Sequence, residues 1–169
     1  MSEPTVSAPL SIPHPWIDSS QAPLYVLVFP ENSTEKELSH CCDVRENWVR
    51  QVRSPVAWVV DLSAIQRVTP AKHRIFADHL ARIEPYTSKY SAGCGLVVPS
   101  PLMRGVVTAI FWFAPPRFPH RLFAGRAEAL DWGLRMLSQR RSIQASSGQA
   151  APLPTDHFLA ESHGQRELS

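Results

Sequence analysis

Residues 56–63 read Val-Ala-Trp-Val-Val-Asp-Leu-Ser, and this stretch decides the fold. Its first five residues form an uninterrupted apolar run, which is typical of a strand buried on both faces. Two similar runs lie at residues 24–29 and 95–98. Strands of this kind occur in parallel sheets, where helices join one strand to the next. The stretch therefore predicts an α/β domain.

Helical patterns with recognisable start signals fill the chain between these runs. Thr34 and Glu37 have the spacing of a capping box, in which each side chain satisfies the backbone amide of the other. Thr69-Pro70 and Ser100-Pro101 each place a hydroxyl N-cap before a proline at the first helical position. The predicted helices cover residues 35–53, 70–84, 101–113 and 126–140.

Two shorter segments complete the expected sheet. Residues 14–18 suit an antiparallel strand before the first buried one, and residues 121–123 suit either an edge strand or the lead into the last helix. The expected order is β-β-α-β-α-β-α-β-α. We expect a single, mainly parallel sheet of about four or five strands, joined by right-handed crossovers and covered by about four helices.

The positions of the prolines indicate the domain organisation. The chain has 16 Pro in 169 residues, about twice the average share. Residues 1–11 are interpreted as a flexible, Pro-rich leader because they contain few apolar residues. They lack the charged start and long apolar run of a secretory signal. Residues 142–169 are rich in Ser, Gln, Ala, Gly and Pro and are predicted to be a disordered tail. One α/β domain is expected over residues 12–141.

Composition narrows the classes of function. The net charge is only +2, which gives no electrostatic reason to expect a nucleic-acid partner. No window approaches the roughly 18 apolar residues of a membrane span. His40, Cys41 and Cys42 are adjacent on a helix, so they point in different directions and cannot close on one metal ion. A soluble, cytoplasmic protein without metal, cofactor or catalytic residues is expected, with its cysteines serving as small core residues.

The residues that follow the central strand resemble the core signature of STAS domains, the family of the sporulation anti-anti-sigma factors. The resemblance is carried by Val59-Val60-Asp61-Leu62-Ser63-Ala64-Ile65 followed by a capped helix, and it covers about Trp16 to Leu137. In that family the helix opens with an Asp-Ser-Ser-Gly-like segment, one serine of which is phosphorylated by a partner kinase. Val68-Thr69-Pro70-Ala71 stands in that place here, so the usual phosphorylatable serine is missing.

The resemblance implies a bacterial, non-catalytic protein-interaction domain, regulatory or scaffolding. The missing serine implies that partner contact is constitutive, without the phospho-switch, or that the Thr69 hydroxyl has taken over the role of the serine. The chain is also similar to divergent STAS-like proteins that are grouped with Sec14-type lipid-binding folds. By analogy with the family, the partner surface is expected in the loop after the central strand. The residues expected to contact a partner protein there are Asp61, Ser63, Thr69 and Lys72.

The aromatic segment Phe111-Trp112-Phe113 predicts a second contact surface. Three consecutive bulky residues on a helix fan around its axis and cannot all face one core. Trp112 and Phe118 are the residues expected to be exposed, with Arg117 as a polar neighbour suited to an interface. The partner would be another protein or a second copy of this chain. The alternative is that the leader and the neighbouring loop bury these rings.

Three further interpretations concern an anion site, two histidines and a second class of function. Ser100 and Arg104 form a candidate anion site at a helix start, although ordinary capping explains them better because the chain has no Gly-rich phosphate loop. His73 and His79 are interpreted as solvated helix residues. A small-molecule or lipid carrier, with an apolar pocket beside the helix at 101–114, is the alternative function to a protein-interaction domain.

Overall fold

The computed structural model describes residues 11–113 and 115–148. In chain order, the strands are β1 (Ile17–Asp18), β2 (Leu24–Val28), β3 (Val56–Asp61), β4 (Ser91–Val97) and β5 (His120–Phe123). The helices are α1 (Glu35–Val49), α2 (Pro70–Tyr90), α3 (Pro101–Phe113) and α4 (Arg126–Gly148). The predicted α/β class, the single and mostly parallel sheet and the four helices are therefore confirmed.

The strands lie in the sheet in the same order as in the chain. Strand β1 is antiparallel to β2, and every other neighbouring pair is parallel. Right-handed crossovers that always step in the same direction place their helices on one face. Helices α1, α2 and α3 accordingly share a face, and α4, which follows the last strand, covers the other.

Strand β3 shows why its sequence is an uninterrupted apolar run. Successive strand residues point to opposite faces. Trp58 and Val60 belong to the core under α1 and α2, whereas Ala57 and Val59 belong to the core under α4. All six residues of the strand are buried, because both faces of the sheet are covered.

Helix α2 does not end before Pro85, as the sequence predicts, but continues to Tyr90. A proline inside a helix removes one backbone hydrogen bond, which usually favours a break. Here the following turn is held by Thr87, which is buried and donates its hydroxyl to the carbonyls of Ile83 and Glu84, each at 3.3 Å. Packing of the turn after the proline therefore outweighs the local signal.

Helix α4 extends beyond the predicted domain end at residue 141 and reaches Gly148. Three serine hydroxyls of this extension donate to the backbone carbonyl four residues earlier, from Ser142 at 3.1 Å, Ser146 at 2.9 Å and Ser147 at 2.8 Å.

Residues 1–10 of the predicted leader and residues 149–169 of the predicted tail lie outside the described residues. At the other predicted boundary, Ile12 is buried in the core under α1. None of the helices described here has both the length and the apolar character needed to cross a membrane.

Candidate functional site

A cavity of about 410 Å³ opens at the carboxyl edge of the sheet, between α2 and α3. Its floor is made by Phe29, Leu62 and Leu96, which lie at or just beyond the carboxyl ends of β2, β3 and β4. In open α/β sheets ligands bind beyond the carboxyl ends of the strands. The cavity lies at that edge of the sheet.

Apolar side chains from two helices form the walls of the cavity. Phe76 and Leu80 line it from α2, one helical turn apart. Met103, Val107 and Phe111 line it from α3 and are spaced four residues apart, so they lie on one face of that helix. The fold thus lays two apolar helix faces against an unfilled volume.

Polar residues also line the cavity, and they come from the two loops that border it and from the start of α2. Ser33 and Glu31 follow β2, and the Glu31 carboxylate accepts a hydrogen bond from the Gln66 side-chain amide at 2.8 Å. The remaining polar lining residues are Arg67, Lys72 and His73. Cationic groups therefore outnumber carboxylates in the lining.

Asp61, which the sequence places in the partner surface, is 3% exposed and ties three elements together. Its Oδ1 accepts hydrogen bonds from the backbone amide of Ser63, at 2.9 Å, and from the Ser63 hydroxyl. Its Oδ2 accepts from Arg126, with Nε at 2.8 Å and Nη2 at 2.6 Å. Burial raises the pKa of this carboxyl, but the bonds from Ser63 and Arg126 outweigh it and hold the pKa below its ordinary value. The carboxylate is thus committed to contacts within the domain.

The other three residues predicted in this loop lie closer to solvent. Ser63 and Thr69 are exposed. The Thr69 hydroxyl accepts a hydrogen bond from the backbone amide of Lys72 at 3.3 Å, which is the capping contact that the sequence predicts. Lys72 is half-buried and lines the cavity. The structure therefore brings Lys72, but neither Ser63 nor Thr69, into the cavity lining.

The aromatic surface is only partly as expected. Trp112 is 82% exposed, as the fan of rings around the helix predicts. Phe118 instead is half-buried and packs against the core under α1 and α2. Arg117 is exposed and forms an ion pair with Glu84 on α2, with Nη1 3.3 Å from Oε1. Of the described residues, the two most exposed large apolar side chains therefore both lie on α3, Trp112 and Leu102, the latter 79% exposed.

Ser100 and Arg104, the candidate anion site, make contacts within the chain. The Ser100 hydroxyl accepts from the backbone amide of Met103 at 3.4 Å. The Arg104 Nε donates to the carbonyl of Val98 at 2.7 Å, which fastens α3 to the segment that follows β4. These contacts are those of a helix cap and its support, in agreement with the capping interpretation.

A buried polar pair lies deeper in the same face of the sheet. Arg45 on α1 is 5% exposed and His79 on α2 is fully buried, so the interpretation of His79 as a solvated residue is wrong. The Arg45 Nη1 lies 3.3 Å from the His79 Nε2, and the Arg45 guanidinium lies 4.5 Å from the centroid of Trp58. Burial, with a smaller contribution from Arg45, lowers the pKa of His79 to about 3. Neutral His79 therefore accepts a hydrogen bond from the buried cation.

The three cysteines are buried and free, consistent with their predicted role as small core residues. Burial raises the pKa of Cys41 to about 12 and those of Cys42 and Cys94 to about 11. Reactive cysteines have depressed pKa values and are partly exposed. These three thiols have neither property. Within residues 11–113 and 115–148 no group of three or more His, Cys, Asp or Glu side chains is arranged to hold a metal ion.

Comparison with known proteins adds no relative from which a site could be transferred. No protein-family model, curated protein or solved structure matches this chain. The resemblance to STAS domains therefore stays a prediction from the sequence. Any function has to be argued from the cavity, its lining and the exposed surface of α3.

Proposed function

We propose that this cytoplasmic domain is a non-catalytic binding module that holds a small apolar molecule in the cavity between α2 and α3. The observation that carries the proposal is the cavity itself, whose volume of about 410 Å³ is enclosed mainly by apolar side chains. Ligand pockets typically measure roughly 300–1,000 Å³ and combine apolar walls with a few polar groups. Water gains little from an apolar cavity, because it finds few hydrogen-bond partners there. An apolar ligand is therefore the occupant that this volume favours.

The position of the perturbed titratable groups supports binding rather than catalysis. Catalytic sites concentrate such groups in the pocket where the substrate lies. Here the strongly shifted groups are His79 and the three cysteines, and none of them lines the cavity. They belong to the closed core between α1, α2 and the sheet.

Native mass spectrometry of the full-length chain, purified without detergent, tests the proposal. Ala77 and Ala81 are both exposed and lie one turn apart on α2, but only Ala77 lines the cavity. We expect a co-purified small molecule on the wild type and on Ala81→Trp, and its loss from Ala77→Trp, whose indole is added at the cavity lining. The proposal fails if the wild type carries no ligand and binds no apolar probe, or if both variants bind equally well.

A second candidate function is the protein-interaction domain that the STAS resemblance implies. The observation that favours it is the exposure of Leu102 and Trp112 on α3, because large apolar side chains in solvent often mark partner surfaces. Ser63 and Thr69, which are exposed in the loop before α2, are the other candidate contacts. Affinity capture with Trp112→Ala and Ser63→Arg tests it, since Asp61→Arg would break an internal ion pair instead. If neither variant changes the captured proteins, this candidate is rejected.

A further inference from the structure

We propose that the ligand of this cavity is a single-chain amphiphile with an anionic head group, and that Lys72 and Arg67 hold the head group at the mouth. The proposal rests on the proposed function, because it names the class of molecule that the same cavity takes. Three features support this class of ligand: the location of the charged lining residues, their partners, and the volume of the cavity.

The cavity lining is divided into an apolar part and a charged part. Every described lining residue of α3 is apolar, and so is the floor at Phe29, Leu62 and Leu96. The ionisable lining residues come from residue 31 and from the stretch 67–73, at the start of α2 and the loop before it. A ligand that satisfies both parts has an apolar chain and a polar end.

Among the described residues, neither Arg67 nor Lys72 takes part in an ion pair. Four arginines of the domain do, since Arg50, Arg82, Arg117 and Arg126 each lie within 4.0 Å of a carboxylate. Arg74 also forms no ion pair with a described residue, but it does not line the cavity. An anionic head group would supply an ion-pair partner for the two cations that do line it.

Two carboxylates, Glu31 in the cavity lining and Glu37 on α1, already accept hydrogen bonds within the chain. Glu31 accepts a hydrogen bond from Gln66. Glu37 interacts electrostatically with Lys72, but its Oε2 accepts from the backbone amide of Thr34 at 2.7 Å and from the Thr34 hydroxyl at 2.8 Å. These bonds from Thr34 are the main reason that the pKa of Glu37 is lowered, and attraction by Lys72 contributes least. In the described part of the chain, neither of these carboxylates forms an ion pair with Lys72.

The volume limits the size of the apolar part. About 410 Å³ is near the lower end of the range for ligand pockets, which favours one acyl chain over two. The first turn of α2 contains Lys72 and no acidic residue, so the helix start adds no repulsion against an anion. One chain ending in a carboxylate or a similar anion fits both the volume and the charge.

Isothermal titration calorimetry of the full-length protein with three matched probes tests the proposal. The probes are dodecanoate, dodecanol and dodecyltrimethylammonium, which share the chain and differ in the charge of the head group. We expect dodecanoate to bind about threefold to tenfold more tightly than dodecanol, as one or two partly exposed ion pairs allow, and the cationic probe to bind least.

Three charge-removing variants separate the head-group contact from general electrostatics. Lys72→Gln and Arg67→Gln are each expected to weaken dodecanoate binding about threefold while leaving dodecanol unchanged. Arg74→Gln removes the same charge from an exposed position of α2 that does not line the cavity, and should leave both affinities unchanged.

The outcomes distinguish the two proposals. Equal binding of dodecanoate and dodecanol that Ala77→Trp abolishes would overturn the anionic head group and leave the apolar cavity standing. Tightest binding by the cationic probe would likewise overturn the anionic head group and leave the apolar cavity standing. Absence of binding by all three probes would overturn the head-group proposal and the proposed function together.

Discussion

The α4 face of the sheet is close-packed, whereas the face under α1, α2 and α3 opens into a cavity at its carboxyl end. On the α4 face, a Cβ atom added at Gly93 would lie 2.9 Å from Trp132 Cη2, and one added at Gly133 would lie 2.9 Å from Leu24 Cδ1. Helix and sheet therefore meet there through backbone that has no room for a side chain.

On the opposite face, a cluster of aromatic rings fills the space near the amino end of the sheet. The ring centroids of Tyr25, Trp48 and Trp58 lie 4.6–5.8 Å apart. Toward the carboxyl end, Phe29 and Phe76 still pack edge to face with centroids 5.6 Å apart, but they border an unfilled cavity. The two faces therefore differ in packing: one face of the sheet is closed by tight helix–sheet contacts, and the other leaves an unfilled volume at one end.

The same substitution on the two faces should give the largest measurable difference. Leu24 on the α4 face is fully buried, and truncation by Leu24→Ala should lower the free energy of unfolding by about 3–4 kcal/mol. Leu80 is half-buried and already borders empty volume, so Leu80→Ala removes fewer contacts and should cost about 1 kcal/mol. Urea unfolding of both variants measures the two losses. Equal losses would contradict the contrast between the faces.

The second largest expected effect is a loss of folding stability in acid, which the buried His79 causes. Burial lowers the pKa of His79 to about 3 in the folded state, so an unfolded chain takes up a proton near about pH 6.5 while the folded chain does not. The folded state therefore has its full stability above about pH 6.5 and loses stability progressively as the pH falls toward about 3. Between about pH 6 and about pH 4.5 we expect a loss of about 2 kcal/mol.

Unfolding curves across this pH range, compared with those of His79→Gln, check the prediction. Gln keeps an acceptor for the Arg45 guanidinium but does not titrate, so the variant should lose much less stability on acidification. His14 supplies the control, because burial and then His40 lower its pKa in the same direction. If His14→Gln flattens the pH dependence and His79→Gln does not, the effect is wrongly assigned to the buried pair.

The sequence predicts much of this fold because the signals are local. The apolar run at 56–60 shows a strand covered on both faces, and Thr34 and Thr69 mark helix starts that the structure confirms. Local signals mislead where packing decides, as at Pro85 inside α2 and at the extension of α4 past residue 141.

Less of the site can be predicted, because its contacts join distant parts of the chain. Arg45 and His79 lie 34 residues apart, and Asp61 and Arg126 lie 65 apart. In the sequence, His79 falls on an apolar helical stripe, which is the one signal of its burial. The cavity lies beside α3, where the alternative interpretation placed an apolar pocket. Its volume and the positions of Arg67 and Lys72 in its lining follow only from the packed helices.

The smallest expected effect concerns two glycines and tests the close-packed face most directly. Gly93→Ala places a methyl group 2.9 Å from Trp132 Cη2 and 3.1 Å from Met136 Cγ. The overlap costs about 1–3 kcal/mol, and the lower flexibility of the unfolded chain offsets about 0.5–1 kcal/mol of it. A net loss of about 1 kcal/mol is therefore expected.

Gly105 on α3 is the matched control, because a Cβ there would meet nothing within 4 Å. Gly105→Ala should raise the free energy of unfolding by about 1 kcal/mol through helix propensity alone. Chemical denaturation of both variants measures these opposite signs. A gain in stability at both positions would mean that Trp132 moves aside easily, and that the α4 face is no more rigid than the face that carries the cavity.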